Sequence, residues 1–121
     1  MEKGKKNWVF CDGDLPPQGD NPEFAGHEAL MITNIGAEDA TIELVVLFED
    51  REPKRGVTVE LAAMRTMCIR LDKPIGKEGY QIPHGQYALW LKSDVPVCAC
   101  FGRLDVRQTN MAYYSLSGYS F

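Results

Sequence analysis

Apolar and polar residues alternate along much of the chain. Residues 40–48 are apolar at nearly every second position, and residues 57–61, 67–71 and 87–91 repeat the pattern. Successive side chains of a strand point to opposite faces of a sheet, so a period of two predicts strands with one buried face. Further segments that favour strands lie at residues 7–11, 28–34, 95–101 and 111–116.

No segment of useful length repeats its apolar residues with the 3.6-residue period of an amphipathic helix. The strand candidates are short and are separated by turn-forming residues at 34–39, 52–56 and 72–76. Such a series is typical of a β-sandwich or a β-barrel. Because no internal repeat or linker interrupts it, we predict a single all-β domain over residues 1–121. Pro96, inside a strand candidate, indicates a sheet edge or a bulge.

Two connections are longer than simple turns. Residues 12–26 contain three prolines, and residues 72–85 contain two. Loops longer than about 12–15 residues in a compact domain are commonly functional or disordered. Proline favours order, because it reduces the conformational freedom that folding removes. We therefore expect both loops to wall a pocket or to cover a surface between subunits.

Composition and charge narrow the class of protein. The chain has 121 residues, of which 45% are hydrophobic and 25% are charged, as in an ordinary globular domain. Its net charge of −4 argues against general nucleic-acid binding, which requires a basic face for phosphate. No apolar segment approaches the roughly 20 residues of a membrane helix, so we expect no membrane insertion.

The cysteines and the N-terminus indicate a compartment. Lys3, Lys5 and Lys6 are not followed by the apolar segment of a secretory signal. The four cysteines lack a C-x-x-C motif and any zinc-ligand spacing. We therefore predict reduced cysteines and a cytoplasmic protein.

The sequence lacks the common catalytic and metal-binding motifs. His27-Glu28 does not continue into H-E-x-x-H, and Asp12 and Asp14 do not begin a complete calcium-binding loop. The chain contains two histidines, so a His-based metal centre would need both of them together with distant carboxylates. No Walker loop, G-x-S-x-G or G-x-G-x-x-G motif is present. We expect no cofactor, no metal and no enzymatic activity.

A row of charged residues follows the apolar segment 95–101. If that strand continues, Arg103, Asp105 and Arg107 project from one face and precede Gln108. Arginine offers a planar set of donors and aspartate offers acceptors, so the row suits a hydroxyl-rich or carboxylate ligand. The alternatives are an exposed strand end held by cross-strand ion pairs and a symmetric contact between subunits.

Trp90 falls on the polar side of the alternation in residues 87–91. An exposed tryptophan on a strand suits a stacking surface for a ligand or a contact in an oligomer. If both faces of the strand are covered, Trp90 is instead a core residue.

Short motifs in a fixed order resemble one protein family. They are Trp8-Val9, Gly13-Asp14-Leu15-Pro16-Pro17, His27-Glu28, Asp50-Arg51-Glu52-Pro53, Ile82-Pro83-His84, Ser93-Asp94-Val95-Pro96 and Arg103-Leu104-Asp105-Val106-Arg107-Gln108. In these motifs the chain resembles the Anabaena sensory rhodopsin transducer family. The resemblance covers almost the whole chain and is loosest at residues 76–81 and beyond residue 110.

That resemblance implies an antiparallel β-sandwich, a cyclic homotetramer and a cytoplasmic role in signalling or ligand binding. It also implies a similarity to carbohydrate-binding sandwiches. Our leading hypothesis is a non-enzymatic module that binds a sugar or similar polyol and signals to a protein partner. The candidate ligand-binding residues are Arg103, Asp105, Arg107 and Gln108 on one wall, with Asp50, Arg51, His84 and Glu28 forming the remainder.

Two other functional classes fit the same residues. In a structural or protein-interaction module, the polar cluster would hold the subunits of the oligomer together. In a transcriptional regulator it would contact DNA, although the acidic net charge of −4 argues against this.

Overall fold

The structure, a computed structural model, describes residues 3–17, 19, 25–106 and 112–121. Within these ranges the chain forms strands and contains no helix, which confirms the all-β prediction. Consequently no helix of the described residues is long and apolar enough to cross a bilayer. The strands are β1 (Lys5–Leu15), β2 (His27–Asn34), β3 (Ala40–Leu47), β4 (Lys54–Leu61), β5 (Arg65–Arg70), β6 (Gly85–Asp105), β7 (Ala112–Leu116) and β8 (Tyr119–Ser120).

Two antiparallel sheets share the 21-residue strand β6. The first half of β6 lies between β1 and β3, with β4 beyond β3 and β8 beyond β1. Its second half lies between β2 and β7, with β5 beyond β2. The two sheets form the predicted antiparallel β-sandwich, and β6 joins the predicted strands at residues 87–91 and 95–101.

Pro96 marks the position where β6 passes from one sheet to the other. Along β1, the partner of Asn7 is Lys92 while the partner of Lys5 is Val97, so β6 bulges between these pairs. Proline has no N–H to donate to a neighbouring strand. A bulge tolerates this loss, because it leaves a residue without a paired N–H. The prediction of a bulge at Pro96 is confirmed, and the edge-strand alternative is wrong.

The core lies between the two sheets. Leu44 and Leu91 of the first sheet and Ile32 of the second are almost completely buried. The rings of Phe10 and Phe101 stack across the interior with centroids 5.5 Å apart. Burying each large apolar side chain contributes about 1.5–3 kcal/mol, so these contacts hold the sheets together.

Described parts of the two long connections are held to the rest of the fold. Strand β1 continues beyond the predicted end at Cys11 as far as Leu15, which is 2% exposed. A register shift between Phe10 and Gly13 accompanies this extension. Residues 72–85 are tied down by the buried side chains of Ile75 and Ile82. The extended end of β1 brings Asp12, Gly13 and Asp14 beside the start of β6.

All four cysteines are free thiols.

Candidate functional site

The structure brings two of the predicted site residues into direct contact. Glu28 begins the buried part of β2 and pairs in register with Arg103 of β6. Both side chains point into the sandwich, where Glu28 is 0% and Arg103 is 6% exposed. Asp105, two residues further along β6, is half-buried. The predictions for Arg107 and Gln108 fall outside the described residues.

The carboxylate of Glu28 accepts three hydrogen bonds, two from β6 and one from β1. The Tyr87 hydroxyl donates to Oε1 over 2.6 Å. The Nε of Arg103 and the backbone N–H of Asp14 both donate to Oε2, over 2.7 Å and 3.1 Å. A buried carboxylate needs such donors to replace the water that it loses. Glu28 therefore fixes the ends of β1, β2 and both halves of β6 relative to one another.

Arg103 uses its other nitrogens on the opposite side of the cluster. Its Nη1 donates to the Tyr114 hydroxyl over 2.9 Å, and its Nη2 donates to the backbone carbonyl of Asp12. The guanidinium also lies 5.4 Å from the centroid of the Tyr114 ring. Each of the three nitrogens thus has an acceptor inside the chain. We call Glu28, Tyr87, Arg103 and Tyr114, with the backbone of Asp12 and Asp14, the Glu28 cluster.

Burial and charge fix the protonation states of the donors in the Glu28 cluster. Burial, together with the charge and hydrogen bond of Glu28, raises the pKa of Tyr87 far above its usual range. Burial alone would lower the pKa of Arg103, but the hydrogen bonds to Tyr114 and Glu28 and the charge of Glu28 raise it. Tyr87 therefore remains a neutral donor and Arg103 a cation at every physiological pH.

A surface cleft of about 310 Å³ lies beside the Glu28 cluster. It forms where the shifted part of β1, the end of β3 and the start of β6 meet. Tyr87 and Asp12 belong to both the cleft and the cluster. The lining residues are Cys11, Asp12, Gly13, Leu47, Phe48, Glu49, Gln86, Tyr87 and Ala88. Of these, none was among the predicted site residues, because only the fold brings them together.

Asp50 and Arg51 lie at the rim of the cleft. Both are exposed, and the Nε of Arg51 donates to Oδ1 of Asp50 over 3.0 Å. The Arg51 guanidinium lies 4.5 Å from the centroid of the Phe48 ring, and Phe48 lines the cleft. The hydrogen bond and the charge of Arg51 lower the pKa of Asp50. These two predicted residues therefore reach the cleft through Phe48 and are not part of its lining.

His84 contacts a different part of the chain. Its Nδ1 lies 3.1 Å from the backbone carbonyl of Pro16. Since a carbonyl only accepts hydrogen bonds, Nδ1–H is the donor. The contact joins the segment that follows β1 to the residue that precedes β6. His84 thus holds Pro16 close to the start of β6 and is absent from the cleft lining.

Trp90 lies on the outer face of the first sheet, away from the cleft. Its indole N–H donates to Oδ1 of Asn7 over 3.1 Å, and the Lys92 ammonium lies 4.0 Å from the ring centroid. The half-buried ring is covered by its own neighbours. Within the single chain Trp90 is therefore not a core residue, and its role as a stacking surface or an oligomer contact stays a prediction.

The described residues offer no evident metal centre. Among them, no group of three or more His, Cys, Asp or Glu side chains is arranged to hold a metal ion. Glu28 is already bound by donors of the protein.

The chain is similar to proteins of known structure over its whole length. The family model described as Anabaena sensory rhodopsin transducer matches residues 3–120. The crystal structure of Thermotoga maritima 1070 shares 34% sequence identity and a TM-score of 0.84, covering 100% of this chain and 97% of its own. The structure of the Anabaena sensory rhodopsin transducer shares 32% identity and a TM-score of 0.74, covering 90% and 96%. No curated protein matches the chain.

Proposed function

The chain belongs to the Anabaena sensory rhodopsin transducer family, and we propose that it is a non-enzymatic signalling module of the cytoplasm. In this proposal residues 1–121 form one domain that assembles as a homotetramer. The cleft beside the Glu28 cluster binds a sugar or a similar polyol. Ligand binding in the cleft changes how the protein interacts with a protein partner.

The lining of the cleft carries the proposal of a polyol ligand. It combines an aromatic side chain, Phe48, with the planar polar groups of Asp12, Glu49 and Gln86. Carbohydrate sites use such pairs, because the C–H face of a sugar packs on a ring while its hydroxyls bond to amide and carboxylate oxygens. The volume of about 310 Å³ suits a ligand of monosaccharide size.

The Glu28 cluster supplies a physical route from the cleft to the second sheet. Tyr87 and Asp12 contact both the cleft and the cluster, and Arg103 joins them to Tyr114 of β7. A ligand that displaces Asp12 or Tyr87 changes the positions of donors and acceptors of the same buried network. Tyr114 is 38% exposed, so the opposite end of the route is accessible to a partner.

A thermal-shift screen of monosaccharides and sugar acids at millimolar concentration tests this function. A ligand that binds only the folded protein, present at about ten times its Kd, stabilises it by about 1.4 kcal/mol. We expect a rise in Tm of a few degrees for at least one polyol. No shift across the panel would contradict the proposal.

A pair of glutamine variants locates the binding site. Gln86 lines the cleft, whereas Gln81 is exposed and donates to the Asp72 carbonyl outside it. We expect Gln86→Ala to reduce the ligand-induced shift and Gln81→Ala to leave it unchanged. Equal effects of the two variants would place the ligand elsewhere.

A protein-interaction module is the second candidate. Large aromatic side chains are exposed near the C-terminus, namely Tyr113 of β7 at 58%, Tyr119 of β8 at 68% and Phe121 at 51%. Exposed aromatic groups favour a protein contact. Glu28 and Arg103, in contrast, are buried and bonded within one chain, which argues against an interface formed by these two residues.

Light scattering of wild type and Arg107→Ala separates the two candidates. We expect the mass of a tetramer for both proteins. Loss of the oligomer in the variant, with no ligand found, would favour assembly as the function. A monomeric wild type would contradict the proposed tetramer.

The net charge of −4 argues against a DNA-binding role. A strongly salt-dependent affinity for duplex DNA would be needed to support that role.

A further inference from the structure

The cleft beside the Glu28 cluster has a negative lining. Two carboxylates, Asp12 and Glu49, lie among its lining residues, which include no lysine or arginine. Asp14 adds a further negative charge close to Tyr87, since its charge contributes to raising the pKa of that tyrosine. A cleft of this composition attracts cations and repels anions.

Two arginines near the cleft are already paired with other carboxylates. Arg103 lies 2.7 Å from Glu28 but 4.0 Å from Oδ1 of Asp12. Arg51, at the rim, is paired with Asp50 over 3.0 Å. Among the described residues, these two arginines therefore leave the carboxylates of the cleft lining without a close ion-pair partner.

The two lining carboxylates are accessible to a ligand. The Asp12 side chain is 73% exposed, and it bonds to Arg103 through its backbone carbonyl rather than by a close contact of its carboxylate. Glu49 is exposed, and no described residue forms an ion pair with it. Both groups can accept hydrogen bonds without breaking a buried contact.

We infer that the cleft prefers a polyol that carries a protonated amine, such as an amino sugar, over a neutral sugar or a sugar acid. The ammonium donates hydrogen bonds to Asp12 and Glu49, the hydroxyls bond to Gln86, and the apolar face of the ring packs on Phe48. This inference rests on the proposed function of the cleft and specifies its ligand. It also replaces the carboxylate ligand expected for the Arg103 row, because the Arg103 guanidinium is occupied inside the protein.

A matched series of ligands tests the charge preference. Glucosamine, glucose and glucuronate share one ring and differ in charge. Binding is measured by calorimetry at pH 6, where the amine is protonated and ordinary Asp and Glu side chains are ionised. We expect glucosamine to bind more tightly than glucose, and glucose more tightly than glucuronate. Each exposed carboxylate should contribute about two- to fivefold in affinity.

Charge-neutralising variants connect the preference to the cleft. We expect Asp12→Asn and Glu49→Gln each to reduce the ratio of glucosamine to glucose affinity by about two- to fivefold. Glu38→Gln is the matched control, because Glu38 is exposed in the turn before β3, at the opposite end of that strand from the cleft. Raising the ionic strength from about 0.01 to 0.15 M shortens the Debye length from about 30 to 8 Å and should weaken the preference.

The outcomes separate this inference from the proposed function. Equal affinity for glucosamine and glucose, or a preference for glucuronate, would overturn the amine preference while leaving a polyol site in place. A preference that Glu38→Gln reduces as much as the two cleft variants do would also overturn it. Absence of binding by all three ligands, and by the wider monosaccharide panel, would overturn both proposals together.

Discussion

Removing both charges of the Glu28 cluster should cost less than the sum of the two single removals. The perturbation is a double-mutant cycle of Glu28→Gln and Arg103→Gln. Glutamine nearly preserves the shape of Glu28 and can accept the two N–H groups that now bond to Oε2. Its amide nitrogen can donate to the Tyr87 hydroxyl, which then acts as acceptor. The main change is therefore the loss of the carboxylate charge.

Burial sets the magnitude of the effect. The side chains of Arg103 and Glu28 are 7% and 0% exposed, and their charged atoms lie 2.7 Å apart. Removing one partner of such a pair costs about 3–5 kcal/mol, because the other charge is left buried without compensation. Removing both leaves no isolated charge. We expect the double variant to be destabilised by about 1.5–3 kcal/mol less than the sum of the single variants.

The free energy of unfolding in urea measures this coupling. Asp50→Asn with Arg51→Gln is the matched control, because this ion pair has a similar N–O distance of 3.0 Å but exposures of 71% and 54%. Exposed pairs typically contribute about 0–1 kcal/mol. If the coupling energy between the Glu28 and Arg103 changes were as small as that of the control pair, the two changes would be additive. The cluster would then not act as a unit.

Two further predictions concern the surroundings of the cluster. A Cβ on Gly13 would meet the Tyr87 carbonyl oxygen at 2.6 Å and its ring at 2.7 Å. Gly13→Ala should therefore destabilise the protein by about 1–3 kcal/mol and weaken ligand binding. Gly36→Ala, where the closest atom lies 3.3 Å away, should cost less and leave ligand binding unchanged. Equal melting temperatures of the two variants would contradict the close packing. The second prediction concerns acid stability. Burial alone would raise the pKa of Asp72, but the hydrogen bonds and charge of Arg70 lower it. Asp72 should then stabilise the fold above its unfolded pKa, near 3.8, and lose this contribution as the pH falls through its lower folded pKa. Asp72→Asn should narrow the difference in stability between pH 6 and pH 2, and an unchanged difference would refute the role of this pair.

The alternation of apolar residues predicted most of the strands because burial of one face imposes a period of two. Strand β3 matches its predicted segment within one residue. The continuity of β6 was not predictable, since Pro96 interrupts its pattern and its two halves pair with different sheets. Strand β8, with two residues, is too short to give a periodic signal.

The candidate site was predictable only in part. Glu28 and Arg103 were both selected from the sequence, but as separate groups on the wall of a ligand site. Their contact depends on the register of β2 against β6, which pairs residues 75 positions apart. Phe48 and Gln86 carry no local motif, and they line a cleft only because β3 and β6 pair beside the shifted end of β1. Long-range pairing, rather than local pattern, therefore determines the geometry of the site.

An amide chemical-shift titration of the full chain with glucosamine tests the central claim most directly. We expect saturable shifts at Asp12, Gly13 and Gln86, which line the cleft, and smaller shifts with the same apparent Kd at Arg103 and Tyr114, which the Glu28 cluster connects to it. Shifts in the cleft that do not extend to Arg103 and Tyr114 would contradict the proposed coupling. If no residue of the cleft shifted, and no ligand of the monosaccharide and sugar-acid panel raised the Tm, the binding site itself would be contradicted.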